Sequence, residues 1–173
     1  SSQRKMPDSL ASVIESIPSS AHPMEVVRTI ISYMGVIEPE KTFEDQLKVA
    51  KRLLGVTTTA IVYWYNFSHH GVRINQDSNE RSVAGHFLKL LRQEDIPELD
   101  KKTLDVSLTL YAEHEFNAST FTGRVCASTL SDLHSCLTAA VGSLRGPLHG
   151  GANEEAMKML QQINSVDEVK RDR

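Results

Sequence analysis

The chain has 173 residues, 24% of them charged and 40% hydrophobic, and its formal net charge at pH 7 is -3. The slightly acidic balance, without clusters of Lys and Arg interleaved with aromatic residues, excludes a broadly basic nucleic-acid-binding surface. The longest apolar run, residues 56–67, is short and broken by threonines, so we expect no membrane span. A chain of this length can bury one moderate hydrophobic core.

In the first half, apolar residues recur with a helical period. They predict a short helix around Leu10 and Ile14, a second from Val26 to Met34, and a third that reaches Gly55, where we expect a helix end or a kink. The segment TTTAIVYWY, residues 57–65, has the β-branched and aromatic composition of a strand, but its neighbours are helical. We therefore predict that it is a buried helix, followed by a loop over residues 69–80.

The second half continues the helical pattern. Leu104, Leu108 and Tyr111 share one helical face, which we expect to be buried. The absence of an alternating strand pattern predicts an all-α fold of layered helices. The helices predicted here are Val83 to Arg92, about Lys101 to Glu115, Ser119 to Ser143, and His149 to about Asn164.

Both cysteines of the chain, Cys126 and Cys136, fall within the single helix predicted over residues 119–143. Ten residues along one helix separate two side chains by about 15 Å, which is too far for a disulfide. We therefore interpret both as reduced core thiols. Neither has zinc-site spacing, and the adjacent His69 and His70 diverge on a helix, so we predict no metal site.

The segment GPLHGGANE, residues 146–154, carries the strongest chemical signature of the chain. The Gly-Pro break followed by an amphipathic run predicts a loop that leads into a helix N-terminus. The positive end of that helix dipole favours a neutral His149, which can donate from one ring nitrogen and accept at the other. Gly150 and Gly151 leave the backbone bare, so a bulky ligand can approach its N–H groups. The alternative interpretation is that these residues only begin a helix and have no role in binding.

A second polar group follows the helix predicted around residues 101–115. His114 lies about one turn beyond Tyr111, and Asn117 fits the N-cap of the next helix, with Ser119 and Thr120 as rival caps. We expect these polar side chains to converge at the break between the two helices. The alternative interpretation is that Asn117 is only a helix cap and that His114 is only a hydrogen-bonded core residue.

Several separated strings together resemble the citrate synthase family, and most closely its 2-methylcitrate synthase branch. The resemblance covers essentially all of residues 6–163, and motifs in a shared order are far more specific than any one of them. The strings are AHPMEVVRT from residue 21, YWYNFSHHG from residue 63, GHFLKLL from residue 85, AEHEFNASTFTGRVCASTLSD from residue 112, and GPLHGGANE from residue 146.

This resemblance implies a large-domain fold of layered antiparallel helices and a role for each matching residue. His149 is implied to hydrogen-bond the thioester oxygen of an acyl-CoA and to stabilise the enol or enolate formed there. His114 is implied to hold oxaloacetate, with Asn117 and Tyr111 nearby in the substrate site. The residues implied to flank the path of coenzyme A are Leu148, Gly150 and Gly151. Coenzyme A enters as a substrate thioester, and no permanently bound cofactor is implied.

The implied reaction condenses propionyl-CoA with oxaloacetate and water to give 2-methylcitrate and CoA. Citrate synthesis from acetyl-CoA is the alternative within the family, and a non-catalytic helical scaffold or inactive fragment is the alternative outside it. The family's second catalytic histidine and its aspartate base match nothing in this sequence. We therefore expect residues 1–173 to be the central part of a longer enzyme, inactive by themselves.

The resemblance further implies a homodimer whose partner subunit completes the active site with an arginine. In such a dimer, helices like those over residues 44–67 and 101–115 pack across the subunit interface. The implied setting is a bacterial cytoplasm, or a mitochondrial matrix if the source is eukaryotic.

Overall fold

The computed structural model describes residues 3–113 and 115–163, and all regular structure within those ranges is helical. The all-α prediction is therefore confirmed for this part of the chain. A single 3-10 turn, Phe43–Asp45, precedes the longest helix. The α-helices are α1 (Asp8–Glu15), α2 (Pro23–Ile37), α3 (Gln46–His70), α4 (Val83–Arg92), α5 (Glu98–Tyr111), α6 (Ala118–Ala127), α7 (Leu133–Leu144) and α8 (Gly151–Gln162).

Helix α3 forms the centre of the hydrophobic core and contacts α1, α2, α4 and α7. Its TTTAIVYWY segment is helical as predicted, because burial of residues such as Val62 and Trp64 outweighs their strand propensity. The helix runs into the predicted loop as far as His70. It ends at Gly71, which adopts the left-handed conformation with φ of 69° and closes the helix with two backbone hydrogen bonds.

Gly55 does not end a helix, because α3 continues through it without interruption. A Cβ atom at this position would lie 2.5 Å from the carbonyl oxygen of Gln3, which is closer than packing allows. Glycine therefore lets the N-terminal segment cross directly over α3. Arg52 holds this segment in place by donating to the carbonyl oxygens of Gln3 at 2.8 Å and Lys5 at 2.9 Å.

The helix predicted over residues 119–143 is two helices, so this prediction is wrong. Leu130 adopts a left-handed φ of 61°, and the Asp132 side chain caps the N-terminus of α7 by accepting from the Ser135 N–H at 3.0 Å. Ser, Thr and Asp favour such local hydrogen bonds over a helix interior, which explains the break at residues 128–132. Helices α6 and α7 fold back on each other as a helical hairpin.

The hairpin also overturns the predicted separation of the two cysteines. The Cys126 thiol on α6 is close enough to the Cys136 thiol on α7 to raise its pKa. The distance along one helix axis is therefore not the distance between them, because the intervening turn reverses the direction of the chain.

The expected burial of one face of α5 is also wrong for the described residues. Leu108 is 44% exposed and Tyr111 is 68% exposed, because α5 packs against α4 alone among the described elements. Large apolar side chains are also exposed on α6 and α8, and such surface is typical of an interface. Across the residues that the structure describes, no helix combines the length and the apolar character needed to cross a membrane.

Helix α2 connects the core to the last described helix through the histidine at its N-terminus. The His22 Nδ1 atom accepts from the Met24 N–H at 3.1 Å and caps the helix. This leaves Nε2 to donate, and it contacts the Glu154 carboxylate of α8 at 2.9 Å. The first turn of α8 is thereby tied to the start of α2.

A fully buried histidine joins α4 to α3. His86 is 1% exposed, and its Nε2 atom lies 3.0 Å from the Thr59 hydroxyl, which itself donates to the Arg4 carbonyl oxygen at 2.8 Å. Since the single hydroxyl hydrogen points to Arg4, the ring nitrogen Nε2 must donate. Burial, together with the charge of Arg4, lowers the pKa of His86 to about 4.

We predict that this histidine makes the folded state sensitive to acid. The unfolded chain binds a proton at His86 near pH 6.5, whereas the folded chain does so only near pH 4, so stability falls as the pH drops through this range. The loss should be about 3 kcal/mol. Urea unfolding at a series of pH values measures it, with His86→Gln as the control that keeps a side-chain N–H but does not titrate. Equal pH slopes for the two proteins would contradict the prediction.

Candidate functional site at the turn between α7 and α8

His149 lies in the short turn between α7 and α8, and internal hydrogen bonds fix the backbone of this turn. The Gly150 N–H donates to the Leu144 carbonyl oxygen at 3.0 Å, and the His149 N–H donates to that of Gly146 at 3.0 Å. Helix α8 then begins at Gly151, two residues after the predicted start. His149 is half-buried immediately before a helix N-terminus, as the sequence indicated.

Gly150 is required by the close packing of this turn. A Cβ atom on Gly150 would lie 2.2 Å from the Leu144 carbonyl oxygen, a distance that no side chain tolerates. On Gly151 the nearest atom to such a Cβ would be 3.7 Å away, which is ordinary contact. In this conformation the N–H groups of both glycines donate to carbonyl oxygens of the same turn.

The His149 ring is held by Ser119 from the start of α6. Its Nε2 atom lies 3.3 Å from the Ser119 backbone nitrogen and 2.9 Å from the Ser119 hydroxyl oxygen. A backbone N–H only donates, so Nε2 carries a lone pair and the ring is neutral with its proton on Nδ1. The second ring nitrogen is therefore set as a hydrogen-bond donor.

Asn117 fixes Ser119 in turn. As the N-cap of α6, its Oδ1 atom accepts from the Thr120 N–H at 2.8 Å and lies 2.7 Å from the Ser119 hydroxyl oxygen. Because Nε2 of His149 carries no hydrogen, the single hydroxyl hydrogen is shared between Oδ1 and Nε2. The sequence indicated this cap correctly and treated Ser119 only as a rival for it. Ser119 is therefore the residue of the site that the sequence analysis missed, and its contact with His149 joins residues thirty positions apart.

Two other predicted site residues that the structure describes, Tyr111 and Leu148, lie at the surface. Tyr111 is the last residue of α5, and its side chain is largely exposed, as is that of Leu148 beside His149. Glu154, the carboxylate that follows His149 most closely in sequence, is bound by His22. His114 lies outside the described residues.

A groove of about 880 Å³ opens next to this site, between the segment around residues 40–46 and the α6–α7 hairpin. Ser119 and Thr120 form part of its lining, whereas His149 does not and reaches the groove only through Ser119. Arg124 adds an exposed positive charge to the same wall. The arrangement turns the Nε2 edge of the fixed imidazole toward a solvent-accessible groove through Ser119.

Comparison with known proteins gives a consistent result. The family model described as "Citrate synthase, C-terminal domain" matches residues 1–172. The chain is 56% identical over 160 residues to a 2-methylcitrate synthase of Shewanella oneidensis, covering 92% of this chain and 43% of that protein. It is 38% identical over 169 residues to a citrate synthase of Deinococcus radiodurans, covering 96% of this chain and 45% of that protein.

Solved structures show the same relationship. A citrate synthase from Thermotoga maritima superposes with a TM-score of 0.80 at 32% identity and covers 98% of this chain and 44% of that one. The citrate synthase from Thermoplasma acidophilum, solved in a ternary complex with carboxymethyl coenzyme A and oxaloacetate, gives a TM-score of 0.83 at 27% identity, over 98% of this chain and 45% of that one. The chain thus spans somewhat less than half the length of the relatives it matches.

The two glycines of the turn provide a matched test of its packing. We predict that Gly150→Ala lowers the free energy of unfolding by about 1 to 3 kcal/mol, because its methyl group overlaps the Leu144 carbonyl oxygen. Gly151→Ala should leave it unchanged or slightly raised, since alanine favours the first turn of α8 and meets no close atom. Denaturant unfolding of both variants measures the difference. Equal stability of the two variants would contradict the prediction, because it would show that the turn accommodates the methyl group at residue 150 without loss of stability.

Proposed function

Because the chain belongs to the citrate synthase family, we propose that it is the central part of an enzyme that condenses propionyl-CoA with oxaloacetate and water to give 2-methylcitrate and CoA. The observation that carries the proposal is the contact of Ser119 with Nε2 of His149, which leaves Nδ1 as a fixed donor. The similarity to the 2-methylcitrate synthase of Shewanella oneidensis supports the choice of acyl group.

The proposed role of His149 follows from the chemistry of the thioester. An α proton next to a thioester is a weak acid, so its removal needs a base and a donor placed where negative charge develops on the carbonyl oxygen. A neutral imidazole that donates from Nδ1 stabilises the enolate oxygen without first giving up a proton. Ser119 acts as a positioning residue, because its backbone N–H prevents the ring from presenting the opposite tautomer.

The remaining assignments follow the resemblance. We assign His114 to oxaloacetate, Asn117 and Tyr111 to the surrounding substrate site, and the backbone from Leu148 to Gly151 to the path of coenzyme A. The catalytic base matches no carboxylate of this sequence, so we assign it to another part of the protein. Substrate must then meet His149 in a site that these residues complete only in part.

A homodimer is the assembly that we propose for the whole enzyme. The exposed apolar side chains of α5 and of α6, such as Leu110 and Phe121, support it, since a large apolar surface is stable when a partner covers it. A bacterial cytoplasm is the proposed setting, in keeping with the bacterial sources of the relatives named above.

Citrate synthesis from acetyl-CoA is the second candidate, supported by the similarity to the citrate synthase of Deinococcus radiodurans. The two acyl groups differ by one methylene, which a hydrophobic pocket distinguishes by about 1 to 3 kcal/mol. The two functions therefore share one mechanism and differ only in the acyl pocket.

The role of His149 is tested in the full-length enzyme. We predict that His149→Ala lowers kcat by about two orders of magnitude or more, because the oxyanion donor is lost. His70→Ala, at an exposed position at the end of α3, serves as the control and should retain the parent rate. Release of free CoA in the presence of oxaloacetate measures turnover. A His149→Ala enzyme with the parent kcat would remove His149 from the mechanism.

The acyl preference is tested by direct competition. We predict that kcat/KM for propionyl-CoA exceeds that for acetyl-CoA by about tenfold or more, which corresponds to favourable burial of one extra methylene. Mass spectrometry of the product formed from an equal mixture of the two thioesters distinguishes 2-methylcitrate from citrate. A majority of citrate would favour the second candidate.

A further inference from the structure

The α6–α7 hairpin brings the two cysteines of the chain close to each other. Cys136 is 7% exposed, and its Sγ atom donates to the Ser131 carbonyl oxygen at 3.6 Å. Cys126 is half-buried on the facing helix and is close enough to raise the pKa of Cys136. Both sulfurs are free thiols in this structure.

The packing of α6 against α7 also places the two cysteines opposite each other, as contacts that do not involve the sulfur atoms show. A Cβ on Gly123 would contact the Ala140 Cβ atom at 3.5 Å and the Cys136 carbonyl oxygen at 3.6 Å, so these residues face each other. Cys126 lies one turn after Gly123 on α6, and Cys136 lies one turn before Ala140 on α7. The small residues between the helices permit the short backbone separation that a disulfide requires.

We propose that Cys126 and Cys136 form a reversible disulfide that links α6 to α7, and that this bond controls the position of Ser119 against His149. The disulfide is a redox modification site distinct from the residues that bind substrate. Its effect on turnover rests on the proposed function, whereas its formation does not.

The reaction is a thiol–disulfide exchange with a low-molecular-weight disulfide such as oxidised glutathione. The more accessible Cys126 loses its proton and attacks one sulfur of the reagent, which gives a mixed disulfide and one glutathione thiol. Cys136 then loses its proton and attacks the Cys126 sulfur, which releases the second glutathione thiol. Two protein thiols are oxidised, and one disulfide is reduced to two thiols.

The environment of the pair sets this order of attack. Burial and the neighbouring Cys126 thiol raise the pKa of Cys136 to about 11, so it does not react first with a reagent in solution. It reacts as the resolving thiol, since a mixed disulfide on Cys126 places the electrophilic sulfur next to it. Because Cys136 is buried and its pKa is raised, its thiol is also protected from oxidation to sulfenic and higher acids.

The link to the site runs along α6. Ser119 lies in the first turn of this helix and Cys126 in the last, about 10 Å apart along the axis. Forming the S–S bond draws the two sulfurs together and moves α6 relative to α7 as a rigid helix. The Ser119 N–H then shifts relative to Nε2 of His149, which follows α7 in the chain.

The test uses the full-length enzyme incubated with oxidised glutathione and digested with trypsin after the remaining thiols have been alkylated. Cleavage after Arg124 and Arg145 gives one peptide, residues 125–145, that contains both cysteines. We expect this peptide to be unalkylated and two hydrogens lighter than its reduced form, and dithiothreitol should restore both alkylation sites. A peptide that carries glutathione, or that stays fully alkylated, would overturn the proposal.

Two variants identify the role of each thiol. Cys136→Ser should stop at the mixed disulfide and accumulate glutathione on Cys126, whereas Cys126→Ser should leave Cys136 unmodified. If Cys136→Ser does not fold, Cys136→Ala provides the same test with a small apolar side chain in the buried position. Glutathione on Cys136 in the Cys126→Ser protein would overturn the assigned order.

Turnover is measured in parallel by the loss of thioester absorbance, because thiol reagents would also detect glutathione. We expect oxidation to lower the rate severalfold and dithiothreitol to restore it, with no change in the Cys126→Ser control. A disulfide that forms without changing the rate would overturn the coupling to His149. A reduced enzyme without turnover on either thioester would instead overturn the proposed function and leave the peptide result intact.

Discussion

One hydrogen bond, from the backbone N–H of Ser119 to Nε2 of His149, gives the candidate site its chemical character. An imidazole in a loop can adopt either neutral tautomer or become protonated, and each form presents a different pattern of donors and acceptors. A backbone N–H cannot reverse its direction, so it selects one form and leaves Nδ1 as a donor. Every proposal for catalysis by this chain depends on that selection.

The fold supplies this contact by holding two helix ends against each other. Asn117 caps α6 and fixes the Ser119 hydroxyl, while Gly150 allows the turn after α7 to close on the Leu144 carbonyl oxygen. The same α6–α7 hairpin brings the two cysteines close together, so Ser119 and Cys126 lie on one helix.

The exposed surfaces of the described residues support the proposal that they belong to a longer protein. The core around α3 is well buried, whereas α5, α6 and α8 carry large apolar side chains in contact with solvent. The chain spans 43% of the Shewanella oneidensis relative, so much of such an enzyme would lie outside these residues. On the proposed function, the catalytic base would also lie outside these residues.

The sequence by itself determined the helical class, the buried helix at TTTAIVYWY, the Asn117 cap and the family, because these depend on periodicity, local hydrogen bonding and long shared strings. The tertiary structure alone decided the break at residues 128–132, the proximity of Cys126 to Cys136, and the exposure of Tyr111. It also supplied Ser119 as the partner of His149. These features depend on which helix faces meet, and local periodicity does not carry that information.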